Sequence, residues 1–307
     1  TIDQSLRIDN ASGAYLTISS ASPTATNRKK VTISCWVKRA GSGSGVNTVF
    51  WADAQGLMLQ FFADNRIYIY EGASSFQAYA GEGAVQVFRD FSAWYHLVLI
   101  IDTTQSTAAN RAKFYVNGTQ LDLNSHPGQD TLMNWHTGST MRIGSVSDTD
   151  DLAGYIAEFI SIDGQDTSIS DFGETQDGVW VPKNVSGLTL GNAGFYLKFD
   201  NSSDIGNDSG SNNIDFTATN LAATDVVLDS PTNNFSTMNP LYHSSSQAAL
   251  LEGNLKVDGA GFVNAAHGYG AVSTFAIPKD KKIYIEVECT DAAGDSWFAG
   301  LATQSGL

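Results

Sequence analysis

The stretch FSAWYHLVLIIDTTQSTAANRAKFYVNGTQL, residues 91–121, decides the fold of this chain. Its first half is strand-like, since apolar side chains occupy both alternating sets of positions from Trp94 to Ile101. A strand that is apolar on both faces lies inside a sheet that is covered on both sides. Asn117-Gly118 follows Lys113–Val116, and this pair tolerates the positive φ angles of a two-residue turn. The stretch therefore predicts a central strand followed by a tight hairpin.

Strand-like segments recur on both sides of this stretch at roughly the 8–12-residue spacing that is typical of an all-β sandwich. No long 3.6-residue apolar period is present, so we expect very little helix. Ser168–Glu174 is predicted to form one helical turn, with Ser168 or Ser170 as its N-cap. The predicted fold class is an all-β antiparallel sandwich. The further predicted strands are Ser5–Ile8, Tyr15–Ile18, Val31–Lys38, Thr48–Trp51, Leu57–Phe62, Arg66–Tyr70, a short pair within Gln77–Phe88, Thr119–Leu123, Met141–Gly144, Tyr155–Gly164, Val179–Pro182 and Phe195–Phe199. A second β unit is predicted from Ala249 onward, with strands at Leu250-Leu251, Leu255–Val257, Ile283–Val287 and Trp297–Leu301.

The charge balance argues against two classes of partner. The chain has 32 Asp and Glu residues against 17 Lys and Arg residues, which gives a net charge of −15 at pH 7. Such a surface repels a phosphate backbone and an anionic bilayer. The longest apolar run, Leu97–Ile101, is too short to cross a bilayer. The chain opens at Thr1 with no signal-like segment, so either it is not exported through such a signal or its beginning is missing. We predict neither a nucleic-acid partner nor membrane insertion.

The two cysteines, Cys35 and Cys289, are far apart in the sequence and have no metal-binding spacing. Cys35 lies in the apolar segment VTISCWV, which favours a buried and inert thiol. Disulfides are therefore not expected to hold this protein together.

An acidic loop, DTDD, lies between two predicted strands. Asp148, Asp150 and Asp151 would supply carboxylate oxygens to a Ca²⁺ ion, which takes about six to eight oxygen ligands. A solvated acidic turn is the alternative, since no companion donors can be named from the sequence. We predict no cofactor, with calcium as the alternative at this loop.

A second candidate site is Trp135-His136 in the polar segment NWHTGS. An exposed indole at this position would stack on the face of a sugar ring or on a partner protein. The alternative is a tryptophan that plugs the end of the core, because large aromatic side chains usually bury most of their area. Trp36, Trp51 and Trp94 lie within strand patterns and are predicted to be core residues.

The sequence predicts no catalytic site. His96 is flanked by strand residues and is predicted to be a hydrogen-bonded interior histidine. Glycoside hydrolysis needs two carboxylates that flank the scissile bond. Glu286 and Glu288 in IYIEVEC are predicted to lie on the solvent face of an amphipathic strand, and Glu158 and Asp163 lie five apart, on opposite faces. We therefore predict that the protein is not an enzyme.

A family resemblance supports the predicted fold. WYHLVLIIDTT followed by RAKFYVNGTQL resembles the central hairpin of the laminin-G/pentraxin-like members of the concanavalin A-like lectin/glucanase superfamily. SLRIDNASGAYLTI, VTISCWVK, MRIG and YIAEFISIDG resemble the other strands of that family, in the same order. The resemblance implies a laminin-G-like jelly roll. It also implies loops at the rim of the sandwich, which bind calcium in some relatives. The glucanases of this superfamily carry Glu, Asp and Glu close together on one face of a strand, and this chain lacks that set.

The later segments resemble other proteins. DFGETQDGVWVPKNVSG, GFYLKFDNSSDIGNDSGSN and DSPTNNFSTMNPL resemble a series found in virion structural proteins of tailed phages, especially marine ones. FAIPKDKKIYIEVECTDAAGDSWFAGLAT resembles the first strands of SPRY-type sandwiches. FYLKFD and DSGSN resemble an opening motif of laminin-G-like units. Whether residues 195–219 close the first sandwich or begin another therefore stays open at this point.

These observations predict three regions: a sandwich at residues 1–165, an extended linker or strap at 166–241, and the start of a second, SPRY-like sandwich at 242–307. The second sandwich is only half present, so either the native protein is longer or a partner completes it. We expect a non-enzymatic fibre or decoration subunit on the exterior of a virion. Its expected partners are copies of itself, trimeric if fibre-like, other virion proteins and a host-surface glycan. The alternative function is a secreted carbohydrate-binding adhesin or a glucanase-like protein.

Overall fold

The computed structural model describes residues 1–19, 23–41, 45–52, 56–72, 76–81, 86–137, 140–146, 150–243, 249–258, 271–289 and residue 300. It divides the chain into two compact units, Thr1–Thr274 and Phe275–Leu307. The first unit is built from antiparallel strands, and the all-β prediction is confirmed. Short 3₁₀ helices occur at Asn10–Ser12, Asn27–Lys29, Ala108–Asn110, Ile169–Asp171 and Ala223–Asp225.

The strands of the first unit are β1 (Ser5–Ile8), β2 (Tyr15–Ile18), β3 (Lys30–Arg39), β4 (Asn47–Ala52), β5 (Leu57–Phe61), β6 (Ile67–Glu71), β7 (Phe76–Tyr79), β8 (Trp94–Asp102), β9 (Ala112–Val116), β10 (Thr119–Leu121), β11 (Met141–Ile143), β12 (Gly154–Asp163), β13 (Gly173–Gln176), β14 (Val179–Pro182), β15 (Phe195–Leu197), β16 (Thr217–Thr219), β17 (Val226–Val227), β18 (Met238–His243), β19 (Ala249–Leu251), β20 (Lys256–Asp258) and β21 (Ala271–Ser273). Of the pair predicted within Gln77–Phe88, the described residues form only the end of β7.

An eight-stranded sheet contains the strands of residues 91–121. Its order is β10-β9-β8-β3-β12-β1-β17, with β15 also paired to β12. Strand β8 lies between β3 and β9, and it pairs with β3 from Trp94 to Asp102 without interruption. Asn117 and Gly118 have φ angles of 49° and 77° and close the β9–β10 hairpin. The central strand and the tight hairpin are both confirmed.

A seven-stranded sheet with the order β16-β2-β11-β4-β5-β6-β7 packs against the first. The main core lies between the two sheets and includes Leu16, Phe50 and Leu97. Cys35 is part of this core, and burial raises the pKa of its thiol, as expected for an inert cysteine.

The outer face of the eight-stranded sheet is also covered. One apolar cluster there joins Val98 and Ile160 to Phe172, and another contains Trp36 and Trp94. The segments that follow β12 supply part of this cover. This explains why β8 is apolar on both faces.

Residues 166–241 do not form a separate linker. Strand β15 pairs with Phe159–Ser161 of β12, β16 pairs with β2, and β17 pairs with β1. Residues 195–219 therefore close the first sandwich, and residues 166–241 belong to the compact unit Thr1–Thr274. Composition did not reveal this, because these strands are only two or three residues long and join the sheets through backbone hydrogen bonds. The Ser168 N-cap is present in a capping box, in which Ser168 accepts from Ser170 N and donates its backbone N–H to Asp171.

The second sandwich expected at residues 242–307 stays a prediction. Strands β19 and β20 pair as a hairpin within the first unit. In the second unit, the structure describes residues 275–289 and Gly300, and it assigns no strand to them, including the predicted strand Ile283–Val287. The predicted strand Trp297–Leu301 lies outside the described residues, apart from Gly300. Within the described part of the chain, no helix has the length and apolar character needed to span a membrane.

Candidate functional site

The outer face of the seven-stranded sheet carries a continuous row of polar and aromatic side chains. Strand alternation places Phe50 and Leu59 in the core and turns Trp51 and Met58 outward. The register of the sheet then aligns one outward residue from every strand. We call this set the platform row: Thr217, Thr17, Arg142, Trp51, Met58, Tyr70 and Gln77.

A guanidinium group stacks on two aromatic rings near one end of the platform row. The Cζ atom of Arg142 lies 4.3 Å from the ring centroid of Tyr15 and 5.8 Å from that of Trp51. Tyr15 and Trp51 are both half-buried, so each ring keeps an exposed part. Cation–π contacts of this kind fix the orientation of the rings.

A second aromatic group lies towards the other end of the sheet. The ring of Tyr68 lies 4.8 Å from those of Tyr79 and Phe62 and 6.2 Å from that of Tyr70. Arg66 covers the Tyr79 ring at 4.1 Å. Burial, together with Tyr79 and Tyr70, raises the pKa of Tyr68, so its hydroxyl stays protonated at neutral pH.

The geometry of the platform row suits a flat, extended ligand. Trp51 and Tyr70 are two strands apart, a separation of about 10 Å, which is wider than a single sugar ring. Between and beside them, Thr17, Arg142 and Gln77 offer hydrogen-bonding groups. None of the seven side chains of the row is a carboxylate, so the row supplies no general acid and no carboxylate nucleophile.

Sequence reasoning assigned Trp51 to the core, and this is wrong. Phe50 and Trp51 are adjacent aromatic residues, and the strand register places Phe50 inside. The alternation Ile67, Tyr68, Ile69, Tyr70 was the available signal, because it indicates a strand with an apolar inner face and a tyrosine outer face.

The structure places Trp135 and His136 inside the protein. Both are at most 1% exposed, and Trp135 belongs to the main core. The Nδ1–H group of His136 donates to Ala193 O at 3.2 Å, and burial lowers the pKa of its ring. The indole therefore cannot stack on a surface ligand, and the alternative of a core plug is the one that agrees with the structure.

The described end of the acidic loop is joined to β4 by a backbone hydrogen bond. Thr48 N donates to Asp150 O at 3.1 Å, and Asp151 is buried. Asp148 lies outside the described residues. The described residues contain no group of three His, Cys, Asp or Glu side chains that would hold a metal ion. A calcium site at this loop stays a prediction.

His96 is an interior histidine, as the sequence predicted. It is 1% exposed, and its ring stacks on Trp36 with the centroids 4.4 Å apart. Its Nδ1 atom accepts from Trp180 Nε1 at 2.9 Å, and its Nε2 atom lies 3.0 Å from Ser34 Oγ. Burial lowers the pKa of His96 to about 3, so the ring is neutral at physiological pH.

The four carboxylates that the sequence analysis considered, Glu158, Asp163, Glu286 and Glu288, have different surroundings. Glu158 lies in a β-bulge with φ 47°, and its Oε1 atom accepts from the Tyr196 hydroxyl at 2.5 Å in a cavity of about 320 Å³. Burial raises the pKa of Glu158. Asp163 accepts instead from Ala193 N at 2.9 Å. Glu286 and Glu288 are exposed, and no strand forms around them, so their predicted place on a strand face is not observed.

Comparison with known families agrees with this architecture. Residues 10–162 match the profile of a family described as the concanavalin A-like lectin/glucanases superfamily. The match covers just under half of the chain and ends within β12. This part of the chain has the concanavalin A-like, laminin-G-type jelly-roll fold.

Solved structures give likenesses at low identity. A Bacteroides ovatus ATCC 8483 protein, provisionally described as carbohydrate-binding, is 16% identical with a TM-score of 0.46, over 71% of this chain and 58% of that protein. The heptameric SAP-like pentraxin of Limulus polyphemus is 12% identical with a TM-score of 0.37, over 52% of this chain and 76% of that protein. Trypanosoma rangeli sialidase is 18% identical with a TM-score of 0.35, over 47% of this chain and 22% of that protein. None of the curated proteins matches the chain.

Proposed function

We propose that the sandwich is a non-catalytic glycan-binding module and that the platform row is its binding surface. The observation that carries this proposal is the set of half-buried aromatic rings along one outer face, with Trp51 and Tyr70 in the same row. Aromatic rings stack on the apolar faces of sugars, while neighbouring amides and hydroxyls bind the sugar hydroxyl groups. The lectin-like fold of residues 10–162 is consistent with this role.

The proposed ligand is an oligosaccharide. One sugar ring would occupy only one of the two aromatic groups, because Trp51 and Tyr70 are about 10 Å apart. The Arg142 guanidinium, held against Tyr15, adds a donor beside the first ring. The absence of a carboxylate in the row supports binding without hydrolysis.

A glycan array followed by titration of the best oligosaccharide tests this function. Trp51→Ala is expected to weaken binding about 30-fold, since truncating an aromatic anchor costs about 2 kcal/mol. Tyr70→Ala should also weaken it, whereas Tyr284→Ala, at an exposed tyrosine of the second unit, should bind like the native protein. Equal affinity in all three variants, or hydrolysis of the bound glycan, would contradict the proposal.

We further propose that this module belongs to the exterior of a virion as part of a fibre or decoration subunit, alongside copies of itself and other virion proteins. The support is the resemblance of DFGETQDGVWVPKNVSG and DSPTNNFSTMNPL to segments of tailed-phage structural proteins. On the same basis of resemblance, FAIPKDKKIYIEVEC is proposed to begin a SPRY-like sandwich.

Antibodies against residues 1–165 should label the outside of intact particles. Label found only on uninfected cells or in the medium would instead favour a secreted adhesin. Sedimentation in high salt, which screens the charge of −15 per chain, should show a homo-oligomer. A purely monomeric protein at micromolar concentration would contradict self-association.

A further inference from the structure

A buried lysine meets an amide and a carboxylate on the outer face of the eight-stranded sheet. Lys38 lies near the end of β3, and its side chain is 0% exposed beneath residues 229–237, which we call the strap. Its Nζ atom donates to Asp229 Oδ2 at 2.8 Å and to Asn234 Oδ1 at 2.8 Å. It also donates to the backbone oxygen of Phe235 at 2.6 Å. All three acceptors belong to the strap.

Each reacting group is held by further contacts. Asp229 Oδ1 accepts from Trp94 Nε1 at 3.0 Å and from Phe235 N at 3.3 Å, which directs Oδ2 towards the lysine. Asn234 Nδ2 donates to Ser92 O at 2.8 Å. The rings of Trp94 and Tyr155 wall the site, and the Tyr155 centroid lies 5.8 Å from Lys38 Nζ. A buried amine and a buried carboxyl group are therefore fixed beside a half-buried amide.

We propose that Lys38 and Asn234 become joined by an intramolecular amide bond. The neutral Lys38 amine forms a bond from Nζ to Cγ of Asn234, and the Cγ–Nδ2 bond breaks. Asp229 carries a proton from the attacking nitrogen to the departing one. The products are a secondary amide between the two side chains and one molecule of ammonia, so atoms and electrons balance without any oxidant or cofactor.

Two physical effects favour this reaction. Reactive groups fixed at contact distance reach effective concentrations of about 10⁵ M or more, which compensates for the low reactivity of a carboxamide. Burial lowers the pKa of Lys38, although Asp229 and Asp90 act in the opposite direction. Transfer of the lysine proton to Asp229 gives a neutral amine and a protonated acid, the pair of species that the reaction requires.

The mass of the intact, fully denatured protein tests the proposal directly. The expected mass is that of the sequence minus one ammonia. Proteolysis should yield a branched peptide that joins the segment containing Lys38 to the one containing Asn234. The full sequence mass would overturn the proposal. So would a deficit that maps to a succinimide at Asn117-Gly118, since that ring also forms with loss of ammonia.

Matched variants identify the participants. Asn234→Asp should reach the same final mass as the native protein, because loss of water from an acid and loss of ammonia from an amide leave the same product. Lys38→Arg keeps the positive charge but supplies no attacking amine, and it should show its full sequence mass. Asp229→Asn removes the proton carrier and should also keep its full mass. The same deficit in Lys38→Arg would refute the assignment.

Discussion

Replacement of His96 by phenylalanine should remove a pH-dependent part of the stability of the sandwich. In the native protein, the imidazole accepts from Trp180 Nε1 through Nδ1 and contacts Ser34 Oγ through Nε2. This arrangement accommodates only the neutral ring with its proton on Nε2. A second proton on Nδ1 would face the indole N–H directly. His96→Phe keeps an aromatic ring against Trp36 but cannot titrate.

The size of the effect follows from the pKa. Burial lowers the pKa of His96 from its ordinary value of 6.5 to about 3 in the folded protein. Below pH 6.5 the unfolded chain binds a proton that the folded chain does not bind until about pH 3. The stabilisation is therefore complete above pH 6.5 and is lost as the pH falls through this window. At about 1.4 kcal/mol per pKa unit, the loss is about 3 kcal/mol by pH 4.5 and about 4 kcal/mol by pH 3.

Urea unfolding of both proteins at pH 7, pH 5.5 and pH 4.5 measures this contribution. At pH 7 the variant should be less stable by about 1–3 kcal/mol, because the indole N–H of Trp180 loses its acceptor. By pH 4.5 the difference between the two proteins should have moved by about 3 kcal/mol in favour of the variant. Other titrating groups are common to both proteins and cancel. Stability curves that stay parallel from pH 7 to pH 4.5 would refute the reasoning.

Three further predictions concern stability and reactivity. Asp229→Ala should destabilise the protein by about 3–5 kcal/mol in urea unfolding, because without the Asp229 proton carrier the proposed amide does not form and the Lys38 ammonium stays buried without its counter-ion. Adding Lys38→Met should recover part of this loss. Gly118→Val should lower the free energy of unfolding by about 2 kcal/mol or more, because Gly118 has φ 77° and an added Cβ atom would lie 2.3 Å from an indole carbon of Trp180. A thiol reagent should label Cys289 at once in the native protein and Cys35 only in denaturant, since Cys35 is fully buried.

Each of these three predictions can be contradicted by experiment. A double variant at Lys38 and Asp229 that is less stable than Asp229→Ala would show that the buried charge is not the cause. Native-like melting of Gly118→Val would show that the turn adopts another conformation. Rapid labelling of both thiols in buffer would show that the core opens readily.

The sequence predicted those parts of the fold that depend on local pattern. The doubly apolar run from Trp94 to Ile101 identified the central strand, and Asn117-Gly118 identified the hairpin turn. The candidate site was missed, because the orientation of Trp51 depends on a one-residue choice of register between two adjacent aromatic residues. Only the pairing of β4 with its neighbours makes that choice.

The other differences have the same origin in long-range contacts. Trp135 sits in a polar segment, yet tertiary packing buries its indole completely. Strands β15, β16 and β17 are only two or three residues long, and they pair with strands that come from distant parts of the chain. In the sequence, a linker and a short strand of this kind cannot be distinguished unless the sheet with which the strand pairs is known.

The strap has a mechanical consequence. Strand β17 runs beside β1, Ser5 Oγ donates to Asp229 O at 2.6 Å, and the Thr232 hydroxyl donates to Ile2 O. The first strand and the strap are thus tied together at one edge, and tension applied between them loads these few bonds before it reaches the sheets. The proposed Lys38–Asn234 amide would pass that load directly into β3, inside the eight-stranded sheet. The sandwich would then carry tension between its first strand and the strap without lengthening.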